Sequence, residues 1–213
     1  GVIYPKFAHA PKTFYLKDGQ LATVKAGRVT DPFGQLTCCQ IGVDFGGDGS
    51  AHAFSLVGFT KGFTQLVLLE EYYRHEVIGP EQLEDDFVAF VRMCQAKYGI
   101  ERVVTCYADS AEQTLIQGLR AAIRKARIAL DIQNARKGPI NDRIRFLNRL
   151  VGRGRFFIAP HCVHTQDALC SAVWDAKSIG KDVRLDDGKH NIDSLDALEY
   201  AFEPFMDTMI LLG

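Results

Sequence analysis

Residues 41–50 read IGVDFGGDGS: an apolar run enters a glycine turn with one acid, Asp44, before it and another, Asp48, inside it. Two chemistries suit such a turn. The backbone N–H groups of a glycine loop can cradle a nucleotide phosphate, and a carboxylate at a strand end can hold a hard divalent cation through oxygen. The flanking residues supply the frame. Residues 40–45 form one apolar run, residues 51–60 (AHAFSLVGFT) are rich in strand formers, Lys61-Gly62 is turn chemistry, and residues 64–73 (TQLVLLEEYY) are strand-like again. Three strands so closely spaced are joined by hairpins into an antiparallel meander.

Outward from the meander the period changes. Leu83, Phe87, Phe90, Val91 and Cys94 share one helical face, Pro80 suits the first turn and Gly99 the stop, predicting a helix over 80–98. A short strand over 103–107 ends at Ala108-Asp109-Ser110. Then come a helix over 111–125, a strand at 128–132, a helix from Asn141 to Val151, a strand at 155–158 and a helix over 164–175. An Asp187-Gly188 turn suggests a small hairpin within 180–190, and a last helix runs over 193–202 before Pro204. Upstream, Pro5, Pro11, Asp18-Gly19 and residues 31–34 break up any long periodic element, so 1–38 reads as an irregular lead-in to one domain at 39–213. The order specifies an α/β fold: a mixed central sheet, with an antiparallel three-strand meander plus later strands, flanked by helices.

Composition narrows the class. The chain has 213 residues, 47% of them apolar and 24% charged, enough for one substantial core and ordinary for a globular domain. No apolar run approaches the roughly 18 residues of a membrane span. The six cysteines show no CxxC pairing and lie in apolar stretches, as reduced thiols of a cytosolic protein do. The chain begins with Gly1, which reads as a fragment or a processed product. A net charge of −1 argues against a generic nucleic-acid binder, yet the charge is polarised. Residues 120–155 hold eleven Lys/Arg against Asp131 and Asp142, so phosphates can be held locally, unless the span is a solvated face.

Asp44 closes the first predicted strand and Asp109 the fourth. On neighbouring strands they would face one another across one sheet edge, as oxygen ligands for magnesium or manganese. Two such ions activate water and stabilise the leaving oxygen of a phosphodiester. The plainer role for Asp109 is to cap the next helix. Residues 189–203, KHNIDSLDALEYAFE, add His190, Asp193, Asp196 and Glu199 at three-residue steps. Asp193 can cap that helix, with Asp196 and Glu199 favourable near its positive end. That role leaves out His190, a nitrogen ligand or proton-handling group just ahead of the helix.

The segments IGVDFGG, VVTCYADSAEQ, RKGPINDRIRFLNRLVGRGRFFI and HNIDSLDALEYA, in that order, resemble the nuclease domain of the large terminase subunit, the DNA-packaging motor of tailed bacteriophages and prophages. The opening GVIYPKFAH resembles the segment that joins this domain to an ATPase domain. The resemblance implies an RNase H-like fold and a metal-dependent endonuclease that cuts double-stranded concatemer DNA with little sequence specificity. It implies two Mg2+ or Mn2+ ions on Asp44, Asp109 and Asp193, with His190 assisting, Asp196 as a further candidate ligand, and no nucleotide in this domain. Asp48 matches nothing in the family pattern. The implied partners are double-stranded DNA, the ATPase domain of the same full-length protein, the small terminase subunit and the portal, in the cytoplasm of the bacterial host. The basic span would hold DNA phosphates, with Arg143, Arg145, Arg149, Arg153 and Arg155 as candidates.

Three rival readings remain. DFGGDGS also resembles the phosphate loop of actin-like ATPases, but such enzymes need two lobes and a second glycine-rich turn; separately, no GxxxxGK[ST] pattern occurs, so the ATPase half of a terminase is not expected in this sequence. Another RNase H-like nuclease, a resolvase or transposase core, would share the site and differ in its DNA substrate. A catalytically inactive DNA-binding module is disfavoured by the presence of all three acids. The His161-Cys162-His164 cluster lacks a second ligand pair for zinc and reads as a strand end entering a helix.

Overall fold

The computed structural model describes residues 1–17, 23–25, 28–30, 36–47 and 50–212. Strands β1 (Thr23–Lys25) and β2 (Arg28–Thr30) form a small antiparallel ladder of their own. The central sheet comprises β3 (Leu36–Asp44), β4 (His52–Thr60), β5 (Leu66–Arg74), β6 (Val103–Ala108), β7 (Asp131–Asn134) and β8 (Phe156–Ile158), in the spatial order β7-β6-β3-β4-β5-β8. The predicted meander forms as β3-β4-β5, antiparallel throughout. Strands β6, β7 and β8 join it in parallel. The sheet is therefore mixed, as the element order implied, and its order fits the RNase H-like fold that the resemblance implied.

The helices are α1 (Pro5–His9), α2 (Pro80–Tyr98), α3 (Gln113–Lys125), α4 (Ile140–Gly152), α5 (Val163–Ser171), α6 (Asp193–Phe202) and α7 (Met206–Leu212). Helix α2 starts at Pro80 and stops at Gly99, whose φ of +105° an L side chain rarely adopts. Strands β3 and β4 are buried almost without interruption, because the sheet is covered on both faces. Among the described residues no helix is long and apolar enough to cross a membrane.

Several expected elements fall differently. Asp18-Gly19 and residues 31–34 lie outside the described residues. The first residues are short-helical and packed: Tyr4, Phe7, Phe14 and Leu16 are buried, with Phe7 and Phe14 stacked at 5.2 Å. Helix α5 stops at Ser171 because Ala172 turns extended and Val173 pairs with Val2. The hairpin expected in 180–190 does not form. Instead Arg184 bridges back to Trp174, and Asp187 accepts hydrogen bonds from the N–H groups of Lys189 and His190.

Helix α6 lies directly on β3, and the closeness has a residue-level cause. A Cβ at Gly42 would sit 1.9 Å from the Ala197 carbonyl oxygen and 2.8 Å from the Ala201 nitrogen. Both obstacles are backbone, so neither can rotate aside. Gly42→Ala should therefore cost about 3 kcal/mol or more, read as a lower urea midpoint at unchanged m. Gly47→Ala, where an added Cβ meets nothing within 4 Å, should stay within about 0.5 kcal/mol.

Candidate active site

The parallel register pairs Val43 of β3 with Ala108 of β6, so the next residues, Asp44 and Asp109, leave the sheet side by side. The Asp109 N–H donates to the Val43 carbonyl at 3.0 Å. Helix α6 brings its first residue to the same edge, where Asp193 Oδ2 accepts the Ala51 N–H at 3.1 Å. Asp193 is thus tied to the turn that follows Asp44. Asn191 Oδ1 accepts the Ser194 N–H at 3.0 Å and fixes the start of the helix.

Asp44 is 6% exposed. Burial raises its carboxyl far above the ordinary carboxylate range, and Asp196, a side-chain hydrogen bond to Asp193, and the charges of Asp193 and Asp109 push it further. Burial and the neighbouring carboxylates thus favour the protonated form of Asp44. A cleft of about 280 Å³ opens here, lined by Asp44, Tyr73, His75, His190, Asp193 and Asp196 among others.

The other acids at this edge already have cationic partners. Asp109 Oδ1 accepts Lys137 Nζ at 2.9 Å and the Ala111 N–H at 3.1 Å. Asp196 is ion-paired with Arg184. Burial raises its carboxyl and Arg184 opposes the rise. His190 faces the cleft with Nδ1 3.0 Å from both carboxylate oxygens of Asp187, which hydrogen bonds from His190 hold below the usual range. Asp48 lies outside the described residues.

The cradle reading of the glycine turn meets a physical obstacle. The Gly46 N–H donates to His52 Nδ1 and the Gly47 N–H to Ser50 Oγ, both at 3.0 Å. A Cβ at Gly46 would lie 2.7 Å from the Ser50 carbonyl oxygen, so tight return of the chain accounts for that glycine.

Behind the site a chain of charges runs along α6. Glu199, fully buried, accepts Arg143 Nε at 2.9 Å and Arg184 at 2.7 Å. Arg143 also lies 3.7 Å from Glu203, which accepts the N–H groups of Lys137 and Gly138, each at 2.9 Å. Arg143 is thereby corrected as a DNA-contact candidate: it is 3% exposed and bound within the protein. Arg155 is likewise buried, donating to the Thr64, Phe63 and Met209 carbonyls. Arg145 and Arg149 are exposed on α4. The sequence reading missed Lys137, Arg184 and His52, and read Glu199 only as an acid favourable near the start of its helix. His52 alone had a local signal, its place just past the turn; burial lowers it, against the nearby charge of Asp193.

Among the described residues no three His, Cys, Asp or Glu side chains converge on one point as an ion's ligands. Asp44 and Asp193 do lie against one another, and both offer hard oxygens where a cation would relieve the repulsion on Asp44. The donor set fits magnesium or manganese at that pair, with Asp109 adjoining it.

The strand order is that of an RNase H-like α/β fold. Solved structures that match this fold include large terminases and large terminase nuclease domains. The large terminase of a thermophilic bacteriophage matches with a TM-score of 0.64 at 20% identity over 100% of this chain, which spans 46% of the length of that protein. The large terminase nuclease domain of bacteriophage SPP1, solved with bound Mn, matches with a TM-score of 0.58 at 22% identity, covering 79% of this chain and 87% of that one. The large terminase nuclease of thermophilic phage G20c, solved with bound magnesium, matches with a TM-score of 0.56 at 15% identity, covering 95% and 96%. No family model matches the sequence, and no curated protein matches it either.

The raised Asp44 carboxyl makes stability depend on pH. The folded chain keeps a proton there that the unfolded chain releases above about pH 4. The folded state then binds more protons, so stability falls as pH rises from that value towards the raised one. Asp44→Asn removes this loss and should raise the melting temperature of the chelated protein at about pH 8 by roughly 2–8 °C, for about 1–2 kcal/mol. Equal melting curves across pH would contradict it.

Proposed function

We propose that this domain, residues 39–213, is a metal-dependent endonuclease that hydrolyses phosphodiesters of double-stranded DNA with little sequence preference during viral genome packaging. The observation that carries this reading is the buried Asp44 carboxyl with the half-buried Asp193 against it and Asp109 beside it. The pair sits on a fold shared with nuclease domains solved with Mn and with magnesium. Asp44, Asp193 and Asp109 would hold two Mg2+ or Mn2+ ions, which when bound supply Lewis-acid charge for attack by water and departure of the 3′-oxygen.

The chain's own residues do the rest. Helix α6 and the Ala51 N–H aim Asp193 at Asp44. Asp187 fixes the orientation of His190, whose imidazole faces the cleft and can carry a proton to or from the reacting oxygens. The exposed Arg145 and Arg149, with Arg153, would meet backbone phosphates, a contact that positions DNA without reading bases. In this reading the lead-in, residues 1–38, joins the domain to the ATPase domain of a longer protein. The small terminase subunit and the portal are its partners in the host cytoplasm.

Asp44→Asn should lower plasmid nicking in manganese by about 10³-fold or more, the scale of losing a principal stabiliser of transition-state charge. Retained cutting would refute the assignment. The double change Arg145→Glu with Arg149→Glu should weaken DNA binding and flatten its dependence on salt by about two charges. An unaltered slope would place DNA on another face.

A further inference from the structure

We propose that Lys137 is a displaceable counter-ion of Asp109 that competes with the divalent cation for that carboxylate and so sets how readily the site loads metal. The inference rests on the nuclease reading above. Its ground is a difference between two carboxylates at the same edge. Asp196 is held by Arg184, whose side chain is 5% exposed, is also bound to Glu199, and has nowhere to turn. Asp109 is held by an ammonium on a side chain 39% exposed, on a flexible four-carbon stem that can swing into water. Of the two acids, Asp109 is the one that can be released to a cation without breaking the interior.

The backbone beneath Lys137 shows that the contact is built. Lys137 has φ +52°, a left-handed conformation that a lysine rarely adopts. The loop is held there by Glu203, whose two carboxylate oxygens accept the N–H groups of Lys137 and Gly138. A Cβ at residue 138 would come within 2.9 Å of Glu203 Oε2, so glycine is what admits this clasp. Arg143 donates to the Gly138 carbonyl at 3.1 Å and closes the loop from below. The main chain at 137 is fixed while the side chain it launches spans to Asp109.

An ammonium at hydrogen-bond distance occupies an oxygen that a hard cation would use, and its charge repels that cation. Displacing it is inexpensive, because exposed ion pairs contribute little. Lys137 thus balances Asp109 in the metal-free site and gives way when metal arrives.

The test is calorimetric titration of manganese into the chelator-treated chain. Lys137→Met should bind manganese about fivefold tighter than the parent, the size of one exposed ion pair removed. Lys137→Arg should keep the parent affinity, and the gap between Lys137→Met and the parent should narrow in high salt. Lys137→Asn, which suits the left-handed backbone while losing the charge, serves as the second variant should Lys137→Met fold poorly, with the same gain expected. Unchanged or weaker manganese binding in the charge-free variants, with parent binding still abolished by Asp44→Asn, would overturn the inference and leave the nuclease reading standing. Parent binding that Asp44→Asn does not alter would overturn both. A purely structural role for Lys137 would move the melting temperature and not the affinity.

Discussion

Glu199 sits with no exposed surface between the guanidinium groups of Arg143 and Arg184, and the site side of the molecule is organised around that triad. A carboxylate taken wholly out of water is tolerable only when its charge is matched, and removing one partner of such a set costs about 3–5 kcal/mol. Here the partners come from different places: Glu199 from α6, Arg143 from α4 and Arg184 from the long segment that follows α5. One buried charge therefore pins a helix and a largely non-helical segment against α6. Tyr200 joins the same cluster, its ring 5.6 Å from the Arg143 guanidinium.

Fixing α6 matters because the helix also carries Asp193. Its axial and rotational setting on β3 is determined at Gly42, where strand and helix backbones come into contact. With that contact made, the first turn of α6 lands beside the end of β3, and the carboxylates of Asp44 and Asp193 meet. Their proximity is an unfavourable arrangement for the metal-free protein, since like charges in a buried place resist joint ionisation. The interior charge triad and the sheet contact hold the two acids together against that repulsion.

The meander was legible because each strand is a compact run of strand formers with turn residues between, a local property of residues 40–73. Asp44 and Asp109 were legible for the same reason, as acids closing apolar runs whose strands turned out to be parallel neighbours. What escaped were partnerships across long separations. Arg143 and Glu199 lie 56 residues apart, and Lys137 and Asp109 lie 28 apart. A string of arginines looks the same whether one turns inward or all face water. Arg143 falls on the buried face with Ile144, Phe146 and Leu147 around it, while Arg145 and Arg149 fall on the exposed one. The hairpin expected in 180–190 failed because its backbone pairs elsewhere: the Val183 carbonyl accepts the Asp175 N–H and the Leu185 N–H donates to the Val173 carbonyl. Lys137 gave no signal at all, since nothing local marks a lysine that will stand in a left-handed turn.

Three acids at one edge meet the same demand for positive charge in three ways. Burial and acidic neighbours favour a proton on Asp44, Asp109 is paired with a part-exposed ammonium and Asp196 with a buried guanidinium. These answers differ in how easily they are withdrawn. A proton leaves to solvent and an exposed lysine rotates away, whereas a guanidinium bound on two sides in the interior does neither. In the proposed nuclease this ordering would separate Asp44 and Asp109, open to a divalent cation, from Asp196, which anchors the helix that carries Asp193. In the proposed reading Asp196, which lines the cleft, belongs to the scaffold through Arg184, and the exchangeable charge would fall on Asp44, Asp193 and Asp109.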